Sequence, residues 1–124
     1  MPQRLVKMVH AGLSAGTAAM VGGELQDNVT AAGSTQATAT NVYGDIVCVT
    51  TAAASTGVIL GGETFSPGDN LQVTNLGANS LSVYPPVGGQ INALGVNAAF
   101  AVAAGKSALI TARSSTAFLA ALSA

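Results

Sequence analysis

Three features of the sequence predict an all-β fold. Apolar and polar residues alternate in short runs, Gly, Asn and Pro punctuate those runs, and no stretch carries a long amphipathic helical pattern. Leu71 and Val73 alternate with Gln72 and Thr74, and Leu81 and Val83 resume the alternation beyond the turn at 76–79. Period two on both sides of a Gly/Asn turn is the mark of a β-hairpin with one buried face. Phe100 and Val102, the turn 103–106, then Leu109 and Thr111 read as a second hairpin. About seven or eight short antiparallel strands, about 8 to 12 residues apart, predict a single β-sandwich or jelly-roll-like domain. No exact repeat at a fixed period is present, which argues against a solenoid.

Taken in order, residues 1–26 read as an extended N-terminal arm and 27–124 as the β-sandwich domain. The arm holds Arg4, Lys7 and His10 with no acid before Glu24, and Leu5, Val6, Met8 and Val9 form one short apolar cluster. An arm of this kind gains order by lying on a neighbouring subunit and is a frayed terminus on its own. Residues 1–20 imitate a secretory signal, but His10, Gly12, Ser14 and Gly16 break the apolar run such a signal requires. Residues 27–44 are rich in Thr and Ala and read as loop. Ser34 there is a candidate cap for a single helical turn through Gln36 and Ala39, a turn that β-branched Thr weakens.

From Asp45 the strand signal sharpens. Residues 46–50, Ile-Val-Cys-Val-Thr, are nearly all apolar, so both faces of that strand are expected to be buried. A small-residue turn leads to a second strand at 57–62, and the Pro67-Gly68 step makes the next turn. The two expected hairpins follow. The last strand falls at 116–122, with Phe118 and Ala120 facing the core.

Charge narrows the function classes. Four Lys/Arg and five Asp/Glu make 7% of the chain, against about 25% in an ordinary domain. A net charge of −1 offers no basic cluster to neutralise phosphates, which argues against nucleic acid as a partner. No apolar run approaches the ~20 residues of a membrane span. The single Cys48 excludes an internal disulfide. Scarce charge is also the compositional mark of an interface core, so the favoured state is a subunit covered by copies of itself or by a partner. The competing state is a monomer wetted by Thr, Ser, Asn and Gln.

Few residues invite chemistry. His10 has no neighbouring partner for catalysis or metal binding. Cys48, between Val47 and Val49, reads as a small hydrophobe. Asp45, Glu63 and Asp69 are candidates for an acid/base pair or a calcium site. Each follows a glycine, however, where a carboxylate more often ties down turn backbone. The glycine pairs lack the spacing of a phosphate cradle. Tyr84 before Pro85-Pro86 is held extended where the strand ends; it is either an aromatic platform for a sugar or peptide or a packing residue at the sheet exit.

One ordered set of short motifs points further. It comprises Gly57-Val58-Ile59-Leu60, Pro67-Gly68-Asp69 with Val73-Thr74-Asn75, and the run 78–92 that reads ANSLSVYPPVGGQIN; Asn97-Ala98-Ala99-Phe100 and Ala104-Gly105-Lys106-Ser107 complete it. In this order the motifs, covering about residues 45–120, resemble small virion proteins of tailed phages, of the capsid decoration (cement) type or other small head and tail subunits. Many such proteins carry an aromatic pair near 116–119, where this chain has Phe118 alone. The resemblance implies a β-rich fold, a homotrimer and no enzymatic activity, cofactor, metal or small-molecule substrate. It implies the major capsid protein as partner and the outer surface of the virion as location, after assembly in the host cytoplasm. On that reading the partner-binding residues are Arg4, Leu5, Val6, Lys7, Met8 and Val9 of the arm, together with Tyr84. Two other classes stay open: a tail-fibre or host-receptor module binding a glycan at Tyr84, Asn92 and Asn97, and a small hydrolase, for which one His and one Cys leave little to build with.

Overall fold

The computed structural model describes residues 24–61 and 65–123, and these form an all-β fold with no helix. Ten strands make two sheets. In chain order they are β1 (Leu25–Thr30), β2 (Thr40–Asn41), β3 (Ile46–Thr51), β4 (Gly57–Ile59), β5 (Asn70–Asn75), β6 (Leu81–Tyr84), β7 (Gln90–Ile91), β8 (Phe100–Val102), β9 (Ser107–Ala112) and β10 (Ala117–Leu122). The larger sheet has the order β1-β3-β5-β9-β10-β7, and the smaller one β2-β4-β6-β8.

The pairing departs from the antiparallel sandwich that the alternation suggests. Up to β9 the chain alternates between the sheets, one strand in each. The early strands stack in parallel: β1 on β3, β3 on β5, β2 on β4 and β4 on β6. This is β-solenoid-like winding, and the expectation against a solenoid is corrected. The coils are unequal in length, which is why no repeat shows in the sequence. Leu25 lies beside Ile46 and Ile46 beside Gln72 in one sheet, while Thr40 lies beside Val58 and Val58 beside Val83 in the other.

Neither expected hairpin exists. The turn at 76–79 carries the chain from β5 in the large sheet to β6 in the small one, and 103–106 brings it back from β8 to β9. Only β9 and β10 form a sequential antiparallel pair. The winding reverses between β7 and β8: β8 runs antiparallel to β6, and β9 antiparallel to β5. Asn92 and Asn97 in the reversing loop hold φ of 52° and 65°, a left-handed conformation that asparagine tolerates better than most side chains. Residues 34–39 form a turn instead of the helical turn considered for Ser34, closed by a Thr38 N–H to Thr35 carbonyl bond of 3.2 Å.

One core lies between the sheets. Val47, Val49, Leu71, Val73, Ala108, Ile110, Ala112 and Phe118 fill it from the large sheet, and Val58, Leu81, Val83 and Val102 from the small one. Phe118 is buried as expected, meeting Phe65 edge-on with ring centroids 5.1 Å apart, and Ala120 packs against the core. The run 46–50 buries one face only. Val47 and Val49 point inward, while Ile46 is exposed and Cys48 half-buried on the other side. Both expected buried faces therefore reduce to one.

The corners stack as the strands do. Asn75, the last residue of β5, is fully buried. Its Nδ2 donates to the Asn79 carbonyl at 2.8 Å and to the Val102 carbonyl at 2.9 Å, and its Oδ1 accepts the Gly77 N–H at 3.0 Å. Asn79 in turn donates to the Ala52 carbonyl of the preceding corner at 3.0 Å. A Cβ on Gly77 would stand 2.6 Å from the Ala52 nitrogen, so successive corners touch through backbone.

Asn75→Ala leaves the buried Val102 carbonyl, the Asn79 carbonyl and the Gly77 N–H without this partner, and urea unfolding should show a loss of about 2–3 kcal/mol. Gly77→Ala should cost about 1–3 kcal/mol through the backbone clash. Gly95→Ala, where an added Cβ meets nothing within 4 Å, should stay within about 0.5 kcal/mol by the same measurement.

Candidate functional site

The residues singled out by sequence are dispersed. Arg4, Leu5, Val6, Lys7, Met8 and Val9, with His10, lie outside the described residues, as does Glu63. Tyr84 is half-buried at the end of β6. Its hydroxyl donates to the Ser34 carbonyl at 3.2 Å, and its ring packs over Gly57, whose Cβ, if present, would lie 2.8 Å from Cε2. The ring fits only because position 57 has no side chain. Its backbone carbonyl accepts the Leu60 N–H at 3.0 Å. Tyr84 thus fastens the 34–39 loop to the small sheet.

The asparagines proposed beside a sugar are likewise committed to the fold. Asn92 donates through Nδ2 to the Ala120 carbonyl at 3.1 Å and accepts the Ala120 N–H at 2.9 Å. Its side chain therefore imitates a strand backbone and extends the pairing of β7 with β10. Asn97 accepts from the Gly88 N–H at 2.7 Å and from Gln36 Nε2 at 3.1 Å, while Gln36 also donates to the Pro85 carbonyl at 2.8 Å. Gln36 was not expected from sequence to matter; no local pattern links it to residues some fifty and sixty positions away.

The carboxylates act on backbone. Asp69 accepts the Ser66 N–H at 2.8 Å and closes its own turn, as expected. Asp45 instead accepts the distant Glu24 N–H at 2.8 Å and holds the start of β1. Both line a cavity of about 220 Å³ together with Val42, Tyr43, Gly44, Phe65, Asn70 and Leu71. That volume is below the ~300 Å³ at which small-molecule pockets begin. Among the described residues no three His, Cys, Asp or Glu side chains converge to hold a metal ion. Cys48 has its thiol on the outward side of β3, in register with Thr74, and not among the core valines.

Among the described residues no helix is long and apolar enough to cross a membrane. No family model, curated protein or solved structure matches this chain.

What remains prominent is surface. Among the described residues ten large apolar side chains are exposed, including Leu25, Ile46, Val87, Val96, Leu109 and Leu119.

If Tyr84 and Asn92 serve the fold, their removal reads out in stability. Tyr84→Phe should cost about 0.5–1.5 kcal/mol for the single hydroxyl bond, and Asn92→Ala about 1–2 kcal/mol for its two bonds to Ala120. Equilibrium denaturation measures both. A neutral result at both positions would return them to a ligand-binding role.

Proposed function

We propose that this chain is a non-enzymatic structural protein of a tailed-phage virion: a homotrimeric capsid decoration (cement) protein that binds the major capsid lattice and stabilises the head. The observation that carries the reading is the pairing of 7% charged residues with ten large apolar side chains left exposed among the described residues. Single exposed apolar residues are ordinary on a chain that lives alone; several of them on one face with no charge between are what a subunit covers with its neighbours. The ordered motif set over residues 45–120 supports the virion setting. In this reading the two packed sheets serve as the sandwich domain, built by winding instead of by jelly-roll hairpins.

The mechanism is mechanical. A trimer seated over a junction of the icosahedral lattice touches several capsid subunits at once, and linked contacts raise avidity with no single strong one. Binding the assembled shell and not its separated parts shifts the equilibrium toward the shell. The arm, with Arg4 and Lys7 set against acidic capsid loops, is the element assigned to subunit exchange or capsid anchoring.

The test combines mass with binding. Light scattering after size exclusion should give a mass near three chains, and added protein should raise the temperature at which expanded heads lacking it release their contents. Deleting residues 2–22 should abolish trimerisation or head binding. A deletion variant that behaves as the full chain removes the arm's role. Glycan binding without head binding would replace the decoration reading by the receptor-binding one.

A further inference from the structure

The outward side of the large sheet is unusual for a surface in contact with water. Across it, in register, run Leu25, Ile46, Gln72, Leu109 and Ala121, one from each of five neighbouring strands. Leu25 is 57% exposed, Ile46 46% and Leu109 53%; Leu119, also outward on β10, is 50% exposed. The other outward positions of β3, β5, β9 and β10 are hydroxyls and amides apart from Cys48 and Ala117; Thr74 and Ser107 among them have side-chain oxygens 2.8 Å apart. No outward position of β3, β5, β9 or β10 is charged. The charges of the described residues sit at corners and strand ends, at Glu24, Asp45, Asp69, Lys106 and Arg113, with Asp27 on the edge strand β1. An uncharged, partly apolar centre inside a charged rim is the anatomy of a protein–protein interface.

We infer that this outward face, centred on Ile46 and Leu109, is the surface by which copies of the chain pack on one another. The occupant follows from charge. A partner presenting Lys, Arg, Asp or Glu to this face would bury a charge with nothing to pair it. A surface of Leu, Ile, Thr, Ser, Gln and Asn meets such a face without that cost, and this face is itself one. Hydroxyls and amides both donate and accept, so one part of the face can meet a different part of a neighbour's, the head-to-tail contact that a closed trimer requires. Its size suffices. Five six-residue strands at ~4.8 Å spacing and ~3.4 Å per residue span roughly 500 Å² in projection before pleating and rim are added. A standard interface takes about 800 Å² from each partner.

This inference rests on the assembly part of the proposed function and not on its virion part. The full chain and three variants, Leu109→Glu, Ile46→Glu and Val87→Glu, are compared by light scattering across a range of concentration. All three positions are exposed, and Val87, at 78%, lies in the loop after β6. Leu109→Glu and Ile46→Glu should weaken self-association by more than about tenfold, because each buries an unpaired carboxylate in the contact. Val87→Glu should associate as the unaltered chain does. The native Cys48 thiol provides a second readout without mutation, since it lies on the same face. Its labelling by a small thiol reagent should slow as chain concentration rises. An oligomer that survives both face variants, or a labelling rate independent of concentration in an oligomer, overturns the assignment and leaves assembly standing. A chain that is a monomer at every concentration overturns both. Within that outcome, a protected Cys48 would put the chain's own residues 1–23 on the face.

Discussion

The buried amide of Asn75 is the constraint on which this architecture depends. A chain that winds between two sheets must turn a corner at the end of every strand, and at a corner the ladder no longer supplies partners for the backbone. Water cannot supply them either where the corner is covered by the next coil. Asn75 solves this with one side chain, meeting the Val102 and Asn79 carbonyls and the Gly77 N–H from a fully buried position. Its own backbone continues the stack, donating to the Lys106 carbonyl and accepting from the Gly105 N–H. Three corners, around Ala52, Gly77 and Gly105, are thereby bound to one residue or its immediate neighbours. A satisfied buried polar network of this kind specifies one arrangement, because every slipped register leaves groups unpaired.

Thin packing follows from the same winding. The sheets meet through Val, Ala, Leu and Ile with three buried or partly buried Phe, so the core excludes water through close approach more than through large side chains. Close approach in turn requires positions without a side chain. Gly57 lies under the ring of Tyr84, and a Cβ there would also stand 2.6 Å from the Ser82 carbonyl oxygen. The residues that the sequence offers as ligand contacts are thus consumed in holding loops to a thin sandwich, and the molecule's free chemistry is confined to its faces.

The alternation of Leu71, Val73, Leu81, Val83, Phe100, Val102 and Phe118 made the strands and their inward faces legible in the sequence. Their partners were not legible. Period two says which side of a strand is buried and nothing about which strand lies beside it, and a Gly/Asn turn closes a hairpin or rounds a corner with the same residues. Unequal coils hid the stacking from any search for a repeat. The short strands β2 and β7 gave no periodic signal, with two residues each. In the run 46–50 unbroken hydrophobicity predicts two buried faces, whereas Ile46 belongs to an exposed one. The roles of Asn75, Asn92 and Gln36 depend on contacts with backbone far along the chain, which no local pattern encodes.

Edges decide how such a molecule associates. Every sheet edge is a row of unpaired backbone groups and invites strand addition. Here the edges are blunted: β2 and β7 have two residues and β8 three. The one long edge strand, β1, is broken by register shifts on either side of Val29, carries Asp27, and places Asn28 at φ 55°. A bulged, charged edge pairs poorly with a second strand. With edge-to-edge growth discouraged, the sheet faces are the surfaces left for contact with another chain. The distribution of charge adds to that bias, because charge is present at corners and on the edge strand and missing from the outward positions of β3, β5, β9 and β10, so the proposed assembly would form through a face and not through an edge.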